Sequence, residues 1–247
     1  MVNTAAARAA ELARTIDAGL RERSTPERAA KERAYLKSEI EHYGVTVPVV
    51  RSVVKAALRS VDLGHDDVVA LVEQLWEAPV HERRAAAVEV LVARQKTLVP
   101  ADIGLLERLL RESRTWALVD LLAGSAVGPL VEREPSLTPT LERWVRDEDF
   151  WIRRSALLAH LEALRAGRGD FERFGRYADR MLEEREFFIR KAIGWILRDT
   201  ARKRPELVFE WLLPRAATAA GLTVREAVKP LSPTQREAIL AAQAAGA

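Results

Sequence analysis

Apolar residues recur along the chain at the three- and four-residue intervals that place them on one side of a helix. In DDVVALVEQLWEA, Val68, Leu71, Val72 and Leu75 share a face, and in ERRAAAVEVLVARQ so do Ala87, Val88, Leu91 and Val92. No alternating strand pattern runs longer than a few residues. Turn signals divide the chain into segments of helix length: Thr25-Pro26, Val47-Pro48, Ala78-Pro79, Val99-Pro100, Gly128-Pro129, Thr138-Pro139 and Arg204-Pro205. Ser24-Thr25-Pro26-Glu27 reads as a helix start, with proline near the first helical position and an acid in the first turn. The opening MVNTAAARAAELARTI carries Glu11 and lacks a continuous apolar core, which predicts a helix rather than a signal peptide.

Three segments resemble one another: VHERRAAAVEVL from Val80, FWIRRSALLAHL from Phe150 and FFIRKAIGWILR from Phe187 align on Arg84, Arg154 and Lys191. Each has a basic pair, then small and branched apolar residues, then a long apolar face. Spacings of one and two helix pairs predict an all-α, HEAT-like helical-repeat solenoid, read as a single domain over residues 1–247. Such stacking bends into a concave surface, and the basic pairs Arg153-Arg154 and Arg190-Lys191 are expected to line it at helix starts that favour phosphate.

Composition narrows this picture without redirecting it. The 247 residues are 48% hydrophobic and 30% charged, which is enough for a sizeable core. The chain has no cysteine, so disulfides, iron–sulfur clusters and thiolate zinc sites are excluded. His42, His65, His81 and His160 lack a second histidine at i+3 or i+4, so solvated or locally bonded rings are expected and no metal. No apolar run reaches the roughly 20 residues of a membrane span, and no membrane partner is expected. Net charge is only +3, yet residues 151–204 hold 14 Lys+Arg against 8 Asp+Glu. That local excess points either to a polyanion-facing surface or to solvated helix faces.

Several catalytic signatures are missing, including GxxxxGK[ST], GxSxG, HExxH and a glycine-rich dinucleotide fingerprint. A simpler set remains. In RTWALVD, Trp116 and Asp120 stand at i and i+4 and share one helix face. Trp195 follows Lys191 by one turn, Arg154 follows Trp151, and Tyr35 lies between Arg33 and Lys37. A tryptophan at helical spacing is more often core, and Trp76, Trp144 and Trp211 are read as core or inter-repeat packing. An aspartate within an apolar run needs a partner or a groove, and Trp116 beside Asp120 favours the groove.

Taken together these residues resemble the AlkD family of DNA alkylation-repair glycosylases. The resemblance covers about Lys31 to Lys229 through RAYLKS, YGVTVPVVR, LWEAPVHERRAAAVEVL, TWALVD, DEDFWIRRSALL, EFFIRKAIGWILR and REAVK. It implies a repeat solenoid that holds duplex DNA and cleaves the N-glycosidic bond of N3- or N7-alkylated purines without a cofactor. It also implies Asp120 as catalytic carboxylate, Trp116 and Trp195 flanking the damaged nucleotide, Tyr35 enclosing the cleft and Arg154 on the DNA backbone. Thr115 and Ala117 stand where the family often has a second Trp and an extra Asp. The expected protein is a cytoplasmic, nucleoid-associated monomer. Its alternatives are a non-catalytic binder of damaged or branched DNA, a protein-binding scaffold, or a self-resistance glycosylase for bulky natural-product adducts.

Overall fold

The structure, a computed structural model, describes residues 4–246. Its helices are, in order, α1 Thr4–Arg21, α2 Pro26–Leu36, α3 Val47–Leu58, α4 His65–Trp76, α5 His81–Ala93, α6 Ile103–Ser113, α7 Trp116–Leu122 and α8 Gly128–Arg133. They continue with α9 Thr138–Trp144, α10 Phe150–Leu158, α11 Leu161–Arg165, α12 Phe171–Met181, α13 Phe187–Ala201, α14 Pro205–Leu212, α15 Gly221–Ala227 and α16 Pro233–Ala245. Among the described residues there is no strand, only an isolated bridge between Glu41 and Val80. No described helix is long and apolar enough to cross a membrane. The fold is all-α and built of helical repeats.

Two compact units share the chain. The first comprises the described residues up to Asp102 together with Ser113–Leu122. There α1 packs on α4, while α3 packs on α5 and α5 on α7, so α3, α5 and α7 form a row that α1 and α4 back. The second comprises Ile103–Glu112 and the described chain from Ala123 onward. There α10 packs on α13 and α13 on α15, backed by α9, α11, α12 and α14. Burial of one stripe per helix drives this layering, because a helix pair alone cannot hide its apolar faces. Val68, Leu71, Val72 and Leu75 of α4 are fully buried, as the periodicity predicts. On α5, Ala87, Val88 and Leu91 are buried and Val92 is half-buried.

The repeat length is written into the side-chain bonds as well as the packing. In the first unit Arg51 pairs with Glu89 and His65 with Asp102, 38 and 37 positions apart. In the second, Arg143 pairs with Glu107, Arg168 with Glu132 and Arg215 with Asp179, each 36 apart, while Tyr177 donates to Glu142 at 35. One helix pair is about that long, so each bond ties equivalent positions of successive repeats. Glu107 is the densest junction, taking Arg111, Arg143 and the Trp144 indole. Hydrogen bonding by Arg143 leads the causes that hold its carboxyl down at about 2, against burial, which opposes it. Helices α13 and α15 meet closely at Gly194, where an added Cβ would lie 2.9 Å from Cβ of Glu226. Trp76 and Trp144 are buried, and half-buried Trp211 packs against Phe171 and Phe174, in line with their reading as packing residues.

Candidate functional site

In the first unit the site residues gather around the start of α7. Thr115 is buried, and its Oγ1 accepts from the Ala117 N–H at 3.4 Å, while its carbonyl takes Leu118 and Val119 N–H. Thr115 therefore starts the helix that carries the candidate carboxylate, a task its hydroxyl suits. Leu118, Val119 and Leu122 of α7 turn inward and are buried. The opposite side holds exposed Trp116 and, one turn on, half-buried Asp120. Trp116 meets Tyr35 of α2 edge to face, with ring centroids 6.2 Å apart. Tyr35 is 73% exposed and Trp116 37%, the two most outward aromatic rings of this unit. Two large rings left in solvent are poorly explained by packing.

In the second unit Trp195 is half-buried on α13. Its indole N–H donates to Asp199 Oδ2 at 3.0 Å, and the Arg165 guanidinium lies 6.0 Å from its ring centre. Asp199 is buried and also takes Arg165 and Arg198, so the indole is held in a fixed plane. The basic pairs do not form the row of free phosphate ligands expected of them. Arg153 bonds both Glu184 oxygens and the carbonyls of Asp147 and Glu148. Arg190 donates to the Glu184 carbonyl at 2.6 Å, and Lys191 pairs with Glu226 at 3.1 Å. Arg154 is buried, donates to the Phe188 carbonyl and lies over the Phe188 ring. The helix starts are occupied too: Asp149 accepts from Trp151 N–H and Glu186 from Phe188 N–H. Formal charge near a helix start becomes internal hydrogen bonding wherever a carboxylate arrives first.

Helix α3 of the first unit carries what the sequence reading missed. Arg51 and Lys55 of α3 and Arg59, which caps its C-terminal end, stand four residues apart and are all exposed. Together with Arg94 they border an open groove of about 520 Å³. Glu89 holds Arg51 in a forked pair, while Lys55 and Arg59 have no side-chain partner among the described residues. The cation every fourth residue in VPVVRSVVKAALR was the available signal.

Two of the four histidines depart from the expectation of solvated or locally bonded rings. His65 bonds Asp66 and Asp102, which raises its pKa, and His160 bonds the Ala156 carbonyl. His42 and His81 are instead buried and stacked, ring centroids 4.5 Å apart and planes within 5°. Burial, then the neighbouring His42, pushes His81 down to about 4, and burial lowers His42. Spacing along the chain could not show this, because the two rings come from a loop and a helix start 39 residues apart.

The fold is thus an all-α helical repeat, with a carboxylate beside outward aromatic rings in its first unit. The model of the family described as "DNA alkylation repair enzyme" matches residues 16–231, and the chain belongs to that family. It is thus an enzyme family of DNA repair acting on alkylation damage, with DNA as partner. The fold is similar to that of a predicted DNA alkylation repair enzyme from Enterococcus faecalis, at TM-score 0.74 and 23% identity over 85% of this chain and 98% of that one. It is also similar to AlkD2 from Streptococcus mutans, at TM-score 0.57 and 19% identity over 83% of this chain and 99% of that one. No curated protein matches the chain.

Proposed function

We propose that this protein is a monofunctional DNA glycosylase that hydrolyses the N-glycosidic bond of N3- or N7-alkylated purines in duplex DNA. The observation that carries the reading is half-buried Asp120 one turn from exposed Trp116, which Tyr35 meets edge-on. Alkylation at N3 or N7 makes the purine cationic, so it departs without protonation by a general acid. The remaining cost is positive charge growing on the deoxyribose as the bond breaks. Asp120 stabilises that charge and orients the attacking water, which enters at the anomeric carbon as the neutral alkylpurine leaves. Aromatic faces add cation–π attraction of roughly 0.5–2 kcal/mol toward a cationic base or sugar. Trp116 supplies one such face.

Most glycosylases extrude the base into a pocket, whereas the family resemblance implies action without flipping. Phosphate affinity comes from the exposed cations of α3, with Arg153, Arg190 and Lys191 stiffening their helices and Arg154 holding Phe188. Incubating methylated duplex with the protein and measuring free 7-methylguanine tests this directly. The wild-type chain releases base, and Asp120→Asn releases it roughly a hundredfold more slowly or worse while still binding duplex. Full activity in Asp120→Asn overturns the catalytic assignment; duplex binding without release by the wild type overturns the glycosylase.

A further inference from the structure

Helix α2 is an unusual element: it carries Tyr35, yet none of its residues is buried. Apolar packing therefore does little to fix it. Beside it runs a loop that is held firmly. Thr25 N–H donates to the Tyr43 carbonyl, Glu41 N–H to the Pro79 carbonyl and His81 N–H to the Glu41 carbonyl. Gly44 sits at φ +77° so close to α2 that an added Cβ would lie 2.2 Å from the Thr25 carbonyl oxygen. The loop is thus locked between the starts of α2 and α5.

At the centre of this junction lies Glu82 of α5, 1% exposed, accepting N–H groups from Tyr43 at 2.8 Å, Gly44 at 2.6 Å and Val45 at 3.0 Å. A carboxylate offers about four lone-pair sites, so these donors leave one. His42 is 8% exposed, and both of its ring nitrogens lie buried without a hydrogen-bond partner. A buried imidazole in that state is costly unless something occupies it. Glu32 of α2 completes the cluster: one ligand atom each from Glu32, His42 and Glu82 all lie within 4.8 Å of one another. Glu32 otherwise pairs with Arg28. His81 stacks on His42 and fixes the plane of its ring.

We propose that Glu32, His42 and Glu82 bind a divalent transition-metal ion, zinc in the first instance, that clips α2 to the start of α5. One imidazole nitrogen and two carboxylate oxygens form a donor set that zinc accepts at about 2.0–2.2 Å, leaving a fourth position for water. Two carboxylates around a divalent ion balance its charge, and the ion takes the imidazole lone pair that nothing else uses. The ion is structural here: it orders the helix that carries Tyr35 and takes no part in bond cleavage.

The test is calorimetric titration of the chelator-treated full chain with zinc chloride, combined with hydrogen exchange of α2 amides. One equivalent binds per chain and slows exchange across Pro26–Leu36. His42→Asn abolishes that binding, and Glu32→Gln, a change at a half-buried site, weakens it by at least about tenfold, since loss of an outer-shell partner alone costs that much. Absence of stoichiometric binding by the wild type overturns the proposal. So does an equivalent bound with undiminished affinity by Glu32→Gln, whatever becomes of His42→Asn.

Discussion

Helix α3 in the first unit and the starts of α10 and α13 in the second are both rich in cations, and they use them in opposite ways. On α3 and at its C-cap, Lys55 and Arg59 stand exposed with no side-chain partner among the described residues, and Arg51 keeps more than half of its side chain in solvent beside Glu89. At the starts of α10 and α13, Arg153, Arg190 and Lys191 are consumed by Glu184, Glu226 and main-chain carbonyls. A polyanion responds to the field outside the protein, and an arginine already forked onto a carboxylate contributes little to it. Such a residue contributes order instead. Local excess of Lys and Arg along a sequence therefore measures how many charges a segment owns, not how many it offers.

This contrast is breakable. The largest effect is expected from Arg153→Ala, which removes hydrogen bonds to both Glu184 oxygens and two carbonyls from a site where both side chains are mostly buried. Stability should fall by about 2–3 kcal/mol in thermal or denaturant melts, with the salt dependence of duplex binding unchanged. A shallower salt slope with undiminished stability would show that Arg153 faces phosphate after all.

Next in size is an acid response in the second unit. Burial alone would raise the Glu226 carboxyl, but hydrogen bonds from Lys229 and Lys191 bring it down to about 2. A depressed carboxyl contributes stability that is fully present above its unfolded pKa near 4.5 and is lost as pH falls toward about 2. Roughly 2 kcal/mol should disappear across that window, followed by amide exchange in α13 and α15. Lys191→Met should shrink the loss; an identical acid profile in that variant would mean that Lys191 is not spent on Glu226.

The smallest effects belong to α3. Lys55→Ala and Arg59→Ala should each reduce the salt slope of duplex binding by about one, with stability within about 0.5 kcal/mol of wild type. Slopes left unchanged by both would remove α3 from the DNA-facing surface.

Much of the fold was legible in the sequence because helical periodicity and proline punctuation are local signals. The buried face of α4 and the start of α2 at Pro26 follow from residues within one or two turns of each other, and the repeat follows from likeness between such segments. The Trp116 and Asp120 face was legible for the same reason: four residues on a helix make one turn, and Leu118, Val119 and Leu122 claim the other side. Less legible was the fate of charges. Glu184 lies 31 residues from Arg153 and Glu226 lies 35 from Lys191, and nothing local announces such partners. The same distance hid the stacked His42 and His81, whose rings meet only once the loop is pinned to α5.

The sequence by itself determined the helices and the Trp116/Asp120 face, because each depends on spacing along a single helix, and the repeat, because it depends on likeness between such helices. Tertiary structure alone decided which cations remain outside and that Glu32, His42 and Glu82 converge. Those outcomes depend on which residues of one repeat meet those of the next. A side chain's solvation, and hence its chemistry, is set by that neighbour rather than by its own sequence context.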